Sequence, residues 1–302
     1  MDYIDLRSKT IAAAGNLPSF FPSHLNLVKT NSYFQIACLE QTLGIPVVVF
    51  SHGITGSRHL HQALFEHLSS QGYLVAAIDH SYDCNLTIFP DGRFADYRSD
   101  ITGEPDSISI RKQQLDTRSR DVIFVLDKLK QIQSGKIKSM LNGKINLRKI
   151  AVGGHSYGGA TAILSASRDD RINVCFILDG WINPVPNSII ETGLRKPFFS
   201  IGRPEWKDSD YPDNYTYLSE LVTNSAKPNY NIAIDKTLHL DYTDIPLYSP
   251  IIKYVMDVGT LSPSVSHVLI NNLVHNFLES HLLGKSIENY HNHLNNKLIS
   301  KL

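Results

Sequence analysis

Residues 149–162 read KIAVGGHSYGGATA and enclose Gly154-His155-Ser156-Tyr157-Gly158, a match to G-x-S-x-G. The pattern alone recurs by chance, so its flanks decide its meaning. An apolar, β-branched run enters it and a small-residue run, YGGATAILSASR, leaves it. That order predicts a strand, a sharp turn and a helix, the setting in which a serine is presented as a nucleophile at a sheet edge. Gly154 and Gly158 leave room for the turn, and Gly159 and Ala160 let the helix pack closely. Ser156 is therefore the expected nucleophile.

Further apolar runs read as strands at 32–40, 45–53, 73–80, 173–180, 197–202 and 230–235. Several are apolar nearly throughout, as strands covered on both faces of a parallel sheet must be. Helical patterns lie between them: HQALFEHLSSQG, SISIRKQQLDTRSRDVIFVLDKLKQI and, near the C-terminus, SVSHVLINNLVHNFLESHL. The charged residues of RKQQLDTRSRD are expected to form a solvated helix face. Alternation of strand and helix implies an α/β sheet, read here as one domain over residues 1–302. The polar excursion over 83–107 is a candidate lid at the pocket mouth.

A serine is a weak nucleophile until a base, oriented by an acid, takes its proton. On this scaffold both partners lie downstream of it. Asp179, at the end of the run NVCFILD, is one candidate acid; Glu205 or Asp208, after PFFSIG, is the other. The base is expected in the loop after the last strand, read as YNIAID, where KTLHLDYTD places His239. His267, His275, His281, His291 and His293 fall in the helical C-terminal region and read as packing or surface residues. Oxyanion stabilisation needs two backbone N–H groups. Tyr157 follows the nucleophile, and Ile54 follows His52-Gly53 in VVVFSHGITGSR.

Other pairs carry less. Asp79 and His80 are neighbours on a strand and point to opposite faces. The histidines of HLH (59–61) and HNH (291–293) lack a completing ligand set, so no metal or other cofactor is expected. Lys+Arg and Asp+Glu both number 29, giving zero net charge, and no basic surface invites nucleic acid. No apolar run approaches the length of a membrane span, which leaves peripheral membrane contact at most. Three cysteines without paired spacing suit a reducing, cytoplasmic compartment, or a secreted one if a leader has been removed.

PVVVFSHG, GYLVAAIDH, IRKQQLDTRSRDVIFVLD, IAVGGHSYGGATA and ILDGWINPV occur in this order, and TLHLDYTDIPL follows. Together they resemble the plasma-type platelet-activating-factor acetylhydrolases over roughly residues 44–250. The resemblance implies an α/β-hydrolase fold and metal-independent removal of short or oxidised sn-2 acyl groups from phospholipids. It places the acid in the segment matched by LDGW, which is Asp179, and supports His239, Ile54 and Tyr157 in their roles. The segment 83–106 and the loop after PFFSIG depart from the family pattern. A general short-chain carboxylesterase or polyester-type hydrolase is the principal alternative. A peptidase and a non-catalytic binding protein on the same scaffold are the remoter ones.

Overall fold

The computed structural model describes residues 18, 21–38, 41–98, 107–206, 211–285 and 296–302. Seven strands form one sheet, in the order β2 (Leu74–Ile78), β1 (Ile45–Ser51), β5 (Ile145–His155), β6 (Val174–Leu178), β7 (Phe198–Gly202), β8 (Asn229–Ile234) and β9 (Ile299–Lys301). Every pairing is parallel except β8 with β9. β3 (Leu86–Ile88) and β4 (Phe94–Asp96) make a separate antiparallel hairpin.

Successive strand residues face opposite sides, so each central strand feeds two cores. Val47, Val49, Val152, Cys175, Ile177 and Phe198 point to one side. There α2 (Ser107–Gln133), α3 (Tyr157–Arg168), α4 (Asn187–Thr192) and α5 (Asn214–Asn224) cover them with Leu126, Ile163, Ile190 and Leu218, among others. Val48, Phe50, Phe176, Phe199 and Ile232 point to the other side. They pack under α1 (Gln62–Ser70) and the long C-terminal helix through Leu68, Leu273 and Phe277. That helix, α7 (Pro263–His281), follows the short α6 (Ile245–Tyr248). Burial on both faces explains why the central strands read as unbroken apolar runs.

Three expectations are corrected. Residues 32–38 form no strand; Tyr33, Phe34 and Ile36 are exposed there, and residues 39–40 lie outside the described set. A β-prone run gains little from extended pairing unless one face is buried. β9 was unforeseen because three residues carry no readable periodicity. The helix face of RKQQLDTRSRD is only partly solvated: Arg118 is 1% exposed and Arg111 5%. The 83–107 excursion begins sealed, with Asp83, Cys84 and Asn85 buried, and continues into the β3–β4 hairpin. Residues 99–106 lie outside the described set.

Candidate active site

β5 delivers the G-x-S-x-G segment to the C-terminal edge of the sheet, and α3 starts one residue beyond Ser156. Ser156 has φ 55° and ψ −121°, a conformation that side-chain-bearing residues rarely adopt and that persists only when surroundings enforce it. The enforcement is visible. Ser156 N–H donates to Leu178 O at 3.0 Å, and its carbonyl accepts from Gly159 N at 2.9 Å and Trp181 N at 3.0 Å. The flanking glycines are obligatory. A Cβ on Gly154 would lie 2.0 Å from Gly158 O, and one on Gly158 would lie 2.0 Å from Ser51 O.

β6 ends at Leu178 and hands the chain to Asp179, whose φ is also positive at 42°. Its carboxylate is 0% exposed. Oδ2 lies 2.5 Å from His239 Nδ1 and 3.1 Å from Arg203 Nε, while Oδ1 accepts from Arg203 N at 3.1 Å. Burial by itself would raise this carboxyl. The hydrogen bond and charge of His239, with Arg203 behind them, outweigh it and hold Asp179 below the ordinary carboxylate range. A Cβ on Gly202 would come 3.2 Å from Asp179 Oδ1, so glycine leaves the acid its room. Of the rival acids, Glu205 is exposed and Asp208 lies outside the described residues.

His239 opens a single 3₁₀ turn, His239–Tyr242, just after β8. Asp241 pins that turn, accepting from Leu238 N at 2.7 Å and Gly259 N at 2.6 Å. The His239 ring is partly exposed and flanked by Trp206, edge-on at 5.9 Å, and by His155 at 4.6 Å. His155 Nε2 lies 3.2 Å from the His239 carbonyl. Burial first, and His239 second, keep His155 well below the usual histidine range, so it stays neutral.

The loop after β1 lies over the nucleophile: a Cβ on Gly53 would come 3.1 Å from Ser156 Cβ. Ile54 follows it, and Tyr157 begins α3, where the first N–H groups of a helix have no intrahelical acceptor. Ser156, Asp179, His239, Ile54 and Tyr157 therefore lie at one edge of the sheet.

Sequence reading missed the layer beneath. His80 Nε2 lies 3.0 Å from Ser51 Oγ and His80 Nδ1 lies 2.8 Å from Asp121 Oδ2, a second serine–histidine–aspartate chain. Ser51 is 0% and His80 1% exposed, so no substrate reaches that serine and the chain is a support. Asp79 turns elsewhere, to Arg58 at 3.2 Å. His52, Asp79 and Cys84 place donor atoms within 4.8 Å of one another, the spacing of metal ligands. Their atoms are already engaged, by His80 N–H, Arg58 and Thr87 Oγ1, and the Arg118 guanidinium lies beside His52. These residues do not fit a cation. The 291–293 histidines fall outside the described residues. Among the described residues no helix is long and apolar enough to cross a membrane.

The sequence model of the family described as platelet-activating factor acetylhydrolase, isoform II, matches residues 19–299. A platelet-activating factor acetylhydrolase of Gallus gallus is 27% identical over 266 residues, covering 78% of this chain and 62% of that protein. One from Canis lupus familiaris is 28% identical over 258 residues, covering 78% of this chain and 57% of that protein. The chain thus spans about three-fifths of the length of these relatives. Among solved structures, a ferulic acid esterase from Streptomyces cinnamoneus superposes with a TM-score of 0.72 at 25% identity. The superposition covers 94% of this chain and 78% of that one, and the shared fold is the α/β-hydrolase fold.

Proposed function

This chain belongs to the platelet-activating factor acetylhydrolase isoform II family, and from that premise we propose that it is a serine-dependent carboxylic ester hydrolase. Its substrates are phospholipids bearing short or oxidised sn-2 acyl groups. The observation that carries the reading is the 2.5 Å contact of Asp179 with His239 beside a nucleophile-elbow serine.

In this mechanism His239, oriented through Nδ1 by ionised Asp179, takes the Ser156 proton as Oγ attacks the ester carbonyl. The N–H groups of Ile54 and Tyr157 receive the developing oxyanion. Collapse of the tetrahedral intermediate breaks the ester C–O bond; His239 protonates the departing lysophospholipid alkoxide and leaves Ser156 acylated. His239 then deprotonates water, which attacks the acyl carbon, and the carboxylic acid departs with Ser156 restored. No step calls for a metal or an organic cofactor.

The structural likeness to a ferulic acid esterase favours a second reading, a carboxylesterase acting on soluble esters with the same residues. A chain-length series separates the two. Phosphatidylcholines with sn-2 groups from acetyl to palmitoyl are assayed with wild type and Ser156→Ala, beside p-nitrophenyl esters. Ser156-dependent release that fades as the acyl chain lengthens supports the phospholipid reading. Turnover of soluble esters alone moves the chain to the carboxylesterases, and turnover retained by Ser156→Ala overturns the nucleophile.

A further inference from the structure

Arg118 is a residue of α2, far in sequence from the loop carrying Ile54, yet its side chain is the largest of those fully buried. Its Nη1 donates to His52 O at 2.9 Å and to Thr161 Oγ1 at 3.4 Å, and Nη2 reaches Gly53 O at 3.5 Å. Nε faces Asp83 Oδ2 at 3.0 Å, and the guanidinium lies over the Tyr157 ring at 4.6 Å. The cation thus touches both segments that carry the oxyanion donors. Tyr157 is tied to the same helix again, its hydroxyl donating to the Arg111 carbonyl.

His52 adds a second grip. Its Nε2 accepts from His80 N at 3.1 Å, which leaves the proton on Nδ1, 2.5 Å from Gly53 O. Burial first, and the Arg118 charge second, keep the His52 ring neutral, as that donor–acceptor arrangement needs. Gly56 N also donates to Gly53 O, at 3.2 Å. The Gly53 carbonyl is therefore anchored on the inner side of the loop. A trans peptide is planar and directs its N–H opposite to its C=O, so anchoring Gly53 O aims the Ile54 N–H away from Arg118. Among the described residues no acceptor takes that N–H.

We propose that Arg118 is a positioning residue for the oxyanion hole: with His52 it locks the Gly53–Ile54 peptide so that the Ile54 N–H is held toward the oxyanion before substrate arrives. Such preorganisation matters because a donor that must rotate during the reaction loses its advantage over water. The proposal rests on the ester-hydrolase reading for its catalytic consequence and on the carbonyl contacts for its structural content.

Two variants test it. Arg118→Lys keeps a cation for Asp83 but has no planar fork to span two carbonyls. The double variant Arg118→Met/Asp83→Asn removes both charges together, and so folds where a lone buried charge would not be tolerated. On p-nitrophenyl butyrate, kcat is expected to fall about 10²-fold with KM changed far less, because the lost interaction belongs to the transition state. Affinity for a trifluoromethyl ketone, which forms an oxyanionic adduct on the nucleophile, should fall by the same factor as kcat/KM. A crystal structure of either variant should show the Gly53–Ile54 peptide flipped or in two orientations. A folded variant with kcat near wild type, or a lowered kcat with analogue affinity intact, overturns the proposal. So does a peptide left unmoved in the variant. If wild type neither turns over esters nor is labelled at Ser156 by a fluorophosphonate, the ester-hydrolase reading fails instead, and the peptide orientation still decides the positioning role.

Discussion

Arg203 and His239 meet the same atom: Asp179 Oδ2 lies 3.1 Å from the Arg203 Nε and 2.5 Å from the His239 Nδ1. Arg203 is steadied in turn, stacking on Trp206 at 4.4 Å while its carbonyl accepts from the Tyr215 hydroxyl at 2.5 Å. One carboxylate oxygen therefore serves a base and a fixed cation at once.

The cation helps hold Asp179 ionised, so its removal should expose the acid to protonation at higher pH. Arg203→Met is expected to move the acid limb of kcat/KM upward by roughly one pH unit or less, with the plateau little changed. Asp179→Asn should instead cost about 10⁴ in kcat, because an amide NH2 turned toward Nδ1 donates to it and holds the ring in the wrong tautomer. Steady-state profiles from about pH 3 to 9 distinguish these, and an unmoved limb in Arg203→Met would remove Arg203 from the account.

The elbow glycines should be intolerant for a reason separate from catalysis. Gly158→Ala brings a methyl carbon to 2.0 Å from a backbone carbonyl that cannot swing aside. A loss of about 3 kcal/mol or more is expected, at the upper end of overpacking costs. Gly92→Ala is the control: its φ is positive at 82° but nothing lies within 4 Å, so about 1 kcal/mol is the expected cost. Urea unfolding midpoints test the contrast, and equal losses would contradict it.

Stability should fall steeply on the acid side. His52, His61, His80 and His155 are fully buried, and burial lowers all of them, His61 to about 3. In the unfolded chain each titrates near 6.5, so between about pH 6 and 4 the unfolded state binds more protons and stability rises with pH. With four such groups the slope approaches about 5 kcal/mol per pH unit, a large share of a typical domain's stability. Asp121 and Asp241, whose carboxyls burial pushes up, act in the opposite sense and offset part of the loss. Urea midpoints at pH 7.5, 6 and 5 should drop in sequence, and a flat series would show the histidines protonating within the fold.

Phe277 offers a test of the second core. It is 0% exposed and its ring lies 5.2 Å from Phe199. Phe277→Ala should cost about 3–5 kcal/mol while leaving kcat of the folded fraction unchanged, since α7 contributes no proposed catalytic group. Equal losses of stability and kcat would mean that the helix helps shape the site.

By itself the sequence determined the parallel sheet and the elbow, and it nominated Ser156 and His239 as nucleophile and base. Each is encoded within a few consecutive residues: an apolar run, a turn glycine, a polar residue at a strand end. Asp179 shows where that reach stops: its place at a strand end favours it over Glu205 and Asp208 in the loop after PFFSIG without excluding them, and it is the fold that sets its carboxylate against the His239 ring. Arg118 lay beyond it altogether. Charged Asp116, Arg120 and Asp121 crowd it in sequence, and only its helical spacing from buried Leu115 and Val122 sets it apart from exposed Arg120, yet it is 1% exposed. Its partners His52, Asp83 and Thr161 come from separate segments. A buried ion pair is assembled only when those segments pack, and the penalty for leaving either charge alone is set by that packing. Local pattern fixed which residues could do chemistry; tertiary structure decided which carbonyl, carboxylate and cation would face one another.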